Sequence, residues 1–335
     1  MGVLHFLNVM EGDCTIIEHS SGRVTVLDVN NASIPEKLSE AQLLANKIME
    51  LSAGLKGNFG QAGHPVNPVQ YMRDRGIKNV FRFILSHPDM DHMGGIKDFF
   101  EEFGPPNFWD TDNTEEKDFA KPCKYNEDDW RFYKSLRDGA HADIKRLVKY
   151  SGDVGSYWNQ DPDGAHDGLH ILAPTRKIVH DANDCGDNND CSYVLLYRNS
   201  HFKIVLAGDS HDESWAHILQ NHKADVTNVD LLIAPHHGRD SDRTYDFLDV
   251  LRPKMTFFGC APSEHVAYDA WSRRELEYIT NNQANCMIVT PAGCDLDLYV
   301  TNESFAQSRA PYTFYSNKYE GWFLRTISKK AAVPV

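Results

Sequence analysis

The chain has 335 residues, 41% of them hydrophobic, 11% aromatic and 24% charged, a composition that supports a sizeable core and excludes disordered and collagen-like classes. Lys and Arg number 34 against 48 Asp and Glu, a net charge of -14, which repels nucleic acid and anionic membranes at long range, so an anionic substrate must be attracted locally. The opening MGVLHFLNVMEGD lacks the regions of a signal peptide, and no run approaches the ~20 apolar residues of a membrane span; a soluble, cytoplasmic protein is expected.

In chain order, short apolar runs over 3–9, 14–19 and 23–29, separated by the turns at 11–13 and 20–22, predict a β-meander. Apolar positions at helical spacing predict a helix over 35–51, followed by a Gly-rich loop over 54–63. A buried strand is predicted over 80–85, running into Ser86-His87-Pro88-Asp89-Met90-Asp91-His92, after which Gly94-Gly95 opens a helix to 103. Residues 105–187 are richer in charge and aromatics, with a helical stretch near 128–150, and read as an insertion or lid within a single domain spanning 1–335. Strands are then predicted over 169–172, 192–198, 202–206, 229–234, 255–259 and 287–290. Helices are predicted from 212, over 241–251 and over 270–281. A meander followed by alternating units in two halves predicts two mixed sheets packed together and covered by helices, a four-layer αββα sandwich with a helical insertion.

His87-x-Asp89-x-Asp91-His92 is the strongest chemical signal. Alternate residues of an extended segment point the same way, so His87, Asp89 and Asp91 can converge while His92 turns toward a neighbouring position. Imidazoles with carboxylates suit Zn, Mn or Fe, and the extra carboxylate shifts preference toward harder ions such as Mn. Two further apolar strands end in polar groups, at Gly208-Asp209 and at Pro235-His236-His237-Gly238. The seven cysteines form no Cys-x-x-Cys pair, so zinc-finger and disulfide frameworks are not expected.

These motifs resemble the metallo-β-lactamase-fold hydrolases, and within them the hydrolase domain of ComEC-type competence (DNA-uptake) proteins. Residues 8–13 are similar to the opening turn of that subfamily and 26–30 to its strand ending in Asp. Ser86 to Gly95 is similar to its metal motif, with 189–192, 206–209 and 234–238 similar to its later elements. The resemblance implies two divalent metal ions, zinc or manganese, with His87 and Asp89 on one, Asp91, His92 and His237 on the other, and Asp209 bridging. A further ligand falls on Asp190, where the superfamily usually has a histidine. Asp28 and Asp13 would orient ligands. Asp91 and His265 would serve catalysis with Asp28, while Asn189, Ser192, His236 and Arg239 would line the substrate.

A pair of ions about 3.5 to 4 Å apart lowers the pKa of a shared water toward ~7 and holds attacking and substrate oxygens. The leading expectation is therefore a phosphodiesterase or nuclease acting on nucleic acid or a small phosphodiester. A hydrolase of a carbonyl substrate (lactone, thioester or β-lactam) and a non-catalytic metal-stabilised binding or regulatory module are the alternatives. Trp109, Trp130, Tyr133, Tyr157 and Trp158 suit packing better than base stacking, and the insertion suits a lid, a homodimer contact or a protein-partner surface equally.

Overall fold

The computed structural model describes residues 2–33, 59–120, 123–160, 166–241, 243–261 and 265–328. The helix predicted over 35–51 lies outside the described residues, as do most of the 54–63 loop and residues 263 and 264 before His265.

The strands are β1 (Val3–Phe6), β2 (Thr15–Glu18), β3 (Val24–Leu27), β4 (Arg82–Ile84), β5 (Asn107–Asp110), β6 (Lys145–Val148), β7 (Leu169–Ala173) and β8 (Val194–Arg198). They continue as β9 (Lys203–Leu206), β10 (Leu231–Ile233), β11 (Met255–Phe258), β12 (Tyr278–Thr280), β13 (Met287–Ala292), β14 (Asp295–Val300), β15 (Tyr315–Ser316) and β16 (Gly321–Ile327). One sheet has ten strands in the order β15-β16-β14-β13-β1-β2-β3-β4-β5-β6, and the other six in the order β12-β11-β10-β9-β8-β7. The meander β1 to β3 is antiparallel, then β3 to β6 run parallel. In the second sheet β7 to β9 are antiparallel and β9 to β12 parallel.

Strict alternation explains the layering, because neighbouring residues of a strand face opposite sides. Ile17, Leu27, Ile84 and Trp109 point into the core between the sheets, where they meet Leu195, Ile204, Leu231 and Phe257. Their neighbours Ile16, Val26, Phe83 and Phe108 face outward, under the helices Ile96–Phe103 and Glu127–Arg137. The first of these helices buries Ile96, Phe99, Phe100 and Phe103, the spacing of one helical face. Leu196, Val205, Leu232 and Phe258 face the opposite way, under helices that include Asp212–Asn221 and Phe247–Leu251. The result is the αββα sandwich. Among the described residues no helix is long and apolar enough to cross a membrane.

The stretch predicted as an insertion or lid is built into these layers. It supplies β5 and β6 to the larger sheet and β7 to the smaller one, because Phe108 and Trp109 divide between the outer and inner cores. Trp109, Trp130 and Tyr133 are buried, and half-buried Trp158 packs edge-on to Trp109, while Tyr157 is exposed. The helix predicted near 128–150 stops at Arg137, where Gly139 turns left-handed, and the chain re-enters the sheet as β6. Likewise 270–281 is not one helix. Tyr268–Ser272 is helical, Glu275 has φ 55, and Tyr278–Thr280 pairs with β11 as a strand. The helix predicted over 241–251 is confined to Phe247–Leu251, with Tyr245 left-handed just before it.

Candidate metal centre

In open α/β sheets ligands collect beyond the carboxyl ends of parallel strands. Here β3 ends before Asp28, β4 before Ser86-His87, β9 before Gly208-Asp209 and β10 before Pro235 to Gly238. Two sheets thus deliver four polar strand ends to one edge of the sandwich.

Asp209 is the meeting point. Its Oδ1 lies 3.4 Å from His92 Nε2, and its Oδ2 lies 3.8 Å from His87 Nε2, 3.6 Å from His237 Nε2 and 3.6 Å from His236 Nε2. His237 Nε2 is 3.8 Å from Asp91 Oδ2, and His87 Nε2 is 3.7 Å from Asp89 Oδ2. His87 and His92 are fully buried. The Nε2 atoms of His87, His92 and His237 and the Oδ1 of Asp209 are buried without a hydrogen-bond partner. Buried polar atoms are rarely left so. Donors bound at about 2.0–2.2 Å to a common ion lie roughly 3–3.6 Å apart, so these separations fit a divalent cation better than direct hydrogen bonds. Ligand-type atoms lie within 4.8 Å of one another in overlapping groups, His87 with His92 and Asp209, Asp91 with His92 and His237, and Asp13 with Asp209 and His237.

The other ring nitrogen of each histidine is held in place. His92 Nδ1 meets Asp28 Oδ2 at 2.9 Å, and His237 Nδ1 meets Asp13 Oδ1 at 2.9 Å. Ser86 Oγ takes His87 Nδ1 at 2.9 Å, and Ser241 Oγ takes His236 Nδ1 at 2.9 Å. Such partners fix tautomer and ring orientation, leaving Nε2 as the ligand atom. Asp28 also accepts from the Ser86 backbone N–H at 2.6 Å, tying β3 to the metal-motif loop.

Electrostatics point the same way. Burial opposes charge on His92 and His237, yet carboxylates outweigh it, Asp209 and Asp28 raising His92 well above its ordinary range and Asp209 and Asp13 raising His237 to about 10. Asp209 is held well below the usual carboxylate range despite burial, first by His237 and then by His92. This edge therefore demands positive charge at its centre. His236 differs, since burial dominates and pushes it down to about 3.

Local backbone serves the site. A β-carbon at Gly12 would overlap the Asp91 carbonyl, so only glycine lets the 8–13 turn bring Asp13 in. Asp28, His236 and His237 all have left-handed φ, of 58, 51 and 59 degrees. Non-glycine residues there cost about 1–3 kcal/mol each and persist where their surroundings over-determine them.

Of the residues expected at the site, His87, Asp89, Asp91, His92, Asp209 and His237 are brought together with Asp28 and Asp13. Asp190 belongs to a different group, with Asp187 and His211, whose Nδ1 lies 3.3 Å from Asp187 and 3.8 Å from Asp190. His236 faces Asp209 as the other imidazoles do. Ser192 is buried, and its Oγ accepts from the Asp209 backbone N–H at 3.1 Å. Asn189 sits in the turn capped by Asp187, its N–H donating to the Asp187 carboxylate. Arg239 lends its carbonyl to Tyr245. His265 is exposed, and its backbone carbonyl accepts from the Asp240 N–H; it is not brought to the converging ligands.

Sequence reasoning missed two cations. Arg243 is buried and donates to the carbonyls of Ser210 and Asp209, at 2.9 and 2.7 Å. Lys117 Nζ lies 2.8 Å from Asp89 Oδ1. Its only sequence signal is membership of the charged run Glu115-Glu116-Lys117-Asp118.

No protein-family model matches the sequence, and no curated protein matches it. Among solved structures the chain is similar to Tm1679, described as a metal-dependent hydrolase of the beta-lactamase superfamily, with a TM-score of 0.47 at 12% identity, covering 84% of this chain and 96% of that one. Igni18, a metallo hydrolase from the hyperthermophilic archaeon Ignicoccus hospitalis, gives 0.44 at 12% identity, over 83% and 94%. A diphosphatase of the PhnP family gives 0.40 at 10% identity, over 83% and 94%.

Proposed function

We propose that this protein is a metal-dependent hydrolase and that its substrate is a phosphodiester, either a small nucleotide or single-stranded nucleic acid. The observation that carries this reading is the convergence of buried, unpartnered Nε2 atoms of His87, His92 and His237 on the Asp209 carboxylate. His87, His92, His237, Asp91 and Asp209 would hold zinc or manganese, two ions in the reading that the overlapping ligand groups favour, and such ions would activate a water near neutral pH and polarise a substrate oxygen.

The chain's own residues do the rest. Asp28, Asp13, Ser86 and Ser241 hold the four imidazoles so that little reorganisation accompanies reaction. Asp91, whose side chain is about a quarter exposed, presents a carboxylate at the open side of the centre, where it is placed to take a proton from an attacking water. His237 and His92 hold it below the usual carboxylate range against burial, so it stays ionised. An oxyanion substrate is favoured over a neutral carbonyl by the cationic side chain at the mouth, Lys117, and by the resemblance of 86–95 to the competence proteins.

The test is hydrolysis of bis(p-nitrophenyl) phosphate by metal-stripped protein reconstituted with Mn, Zn, Mg or no metal, with Asp91→Ala alongside. Metal-dependent turnover that disappears in the variant is the expected result. Absence of turnover with every ion would sink the diesterase reading and transfer weight to carbonyl substrates or a non-catalytic role.

A further inference from the structure

We propose that Lys117 binds an anionic oxygen of the substrate beside the metal centre, so that the site selects substrates carrying a negative charge on the group attacked. The inference rests on the hydrolase reading and deepens it by assigning the residue that recognises charge.

Charge balance at the edge of the sandwich is the starting point. The carboxylates of Asp13, Asp28, Asp89, Asp91 and Asp209 face or support the centre. Two divalent ions would offset most of that charge and leave no surplus to attract an anion. An anionic oxygen therefore needs a cationic donor placed locally beside the ions. Arg243 is unsuited, because it is buried and its guanidinium is committed to main-chain carbonyls and to His236. His236 is engaged at both ring nitrogens, Nε2 facing Asp209 Oδ2 at 3.6 Å and Nδ1 bonded to Ser241 Oγ at 2.9 Å.

Lys117 is placed differently. Its Nζ contacts Asp89 Oδ1 at 2.8 Å and Glu115 Oε1 at 3.2 Å, and its side chain is 26% exposed. The other Asp89 oxygen faces His87 Nε2 at 3.7 Å, so a single carboxylate separates the ammonium from the buried histidines. An ammonium carries three donors, and the two contacts above account for two of them. The ammonium also lies 6.0 Å from the centre of the Trp130 ring, and among the described residues its third donor makes no hydrogen bond, which leaves it for an incoming oxygen.

The segment that carries Lys117 is anchored although it has no regular structure. Arg137 donates to the Glu115 carbonyl at 2.8 Å, and the Glu115 N–H donates to Asn113 Oδ1 at 3.3 Å. Asn113 in turn donates to Asp110 at the end of β5, at 3.2 Å, and to the hydroxyl of Tyr133 on the helix Glu127–Arg137, at 2.8 Å, both residues being buried. Lys117 thus reaches the mouth of the centre from a fixed base, which reduces the ordering cost of binding.

The experiment is equilibrium binding of inorganic phosphate to the metal-reconstituted protein, compared with Lys117→Gln and Lys117→Arg, with metal content measured on each sample. A charge-assisted bond of this kind predicts that Lys117→Gln weakens phosphate binding by about tenfold or more at unchanged metal content, while Lys117→Arg stays within about threefold of the parent. With p-nitrophenyl acetate and bis(p-nitrophenyl) phosphate as substrates, KM rises for the anionic ester alone. Equal phosphate affinity in Lys117→Gln and parent overturns the proposal. So does a loss that tracks loss of metal, which would make Lys117 a tether for Asp89. A parent that retains no metal sinks the hydrolase reading separately, since the phosphate affinities of parent and variant are still compared directly.

Discussion

The same strands carry polar clusters at both ends of the sandwich, and the two clusters are finished differently. At the amino end of β4 the buried guanidinium of Arg82 meets Asp167 Oδ2 at 3.2 Å, and Asp167 also accepts from Arg23 at 2.9 Å and Ser21 at 2.7 Å. Its charges are paired with one another. At the carboxyl end the second nitrogens of His87, His92 and His237 and an oxygen of Asp209 face each other without partners. Burial is similar in both places. What distinguishes structural polarity from a ligand site is therefore whether the protein completes the hydrogen bonds itself.

The contrast is sharpest if the two ends fail separately. Asp209→Ala is expected to abolish metal retention and to lower turnover on the order of 10³-fold or more, with the fold intact by circular dichroism; a variant that still binds metal normally would break the comparison. Asp167→Ala leaves the Arg82 charge uncompensated in the interior and is expected to cost about 3–5 kcal/mol in denaturant unfolding, with metal affinity unchanged in the folded fraction.

A third expectation concerns pH. His19, close to the Arg82 cluster and bonded to the Thr25 hydroxyl at 2.8 Å, is pushed down to about 4, chiefly by burial. Its folded pKa lies below the ordinary ~6.5, so stability from this residue is complete above pH 6.5 and is lost as pH falls toward 4, about 3 kcal/mol in all. The slope over that window is expected to diminish in His19→Gln, measured as the difference between the two proteins.

Smaller effects come from the supports. Asp28→Asn and Asp13→Asn each keep shape and remove the charge behind an imidazole, and each is expected to weaken metal binding by about 10–100-fold in a competition titration. Asp190→Ala is expected to change metal content by less than about twofold, since its carboxylate groups with Asp187 and His211. Metal loss in that variant would place Asp190 among the ligands after all.

Much of this was legible before any coordinates. Apolar runs placed the meander and the strands that lead to Ser86, Gly208 and Pro235, because strands buried on both faces read as continuous apolar segments. The His87 to His92 motif is local, so its convergence could be read from spacing alone. Other parts were not local. Asp13 and His237 are 224 residues apart, and only the packing of one sheet on the other brings them together. The left-handed turns at His236 and His237 decide where both rings point, and no periodicity encodes them. Strands β5 and β6 were hidden because their apolar residues sit among Asn107, Asp110, Lys145 and Arg146. Lys117 was invisible for a related reason: its partner lies 28 residues earlier, across an irregular segment.

The larger sheet ends at one side in β15, a strand of two residues, and at the other in β6, whose first residues are Lys145 and Arg146. An open sheet edge is a template for another chain, and proteins blunt it with short strands and with charge. Ten strands laid side by side would otherwise offer a long ladder to aggregation. Here a second molecule arriving at β15 finds two residues to pair with, and one arriving at β6 must bury a lysine and an arginine. Strand addition through these two edges is disfavoured when copies of this chain are concentrated for metal titrations.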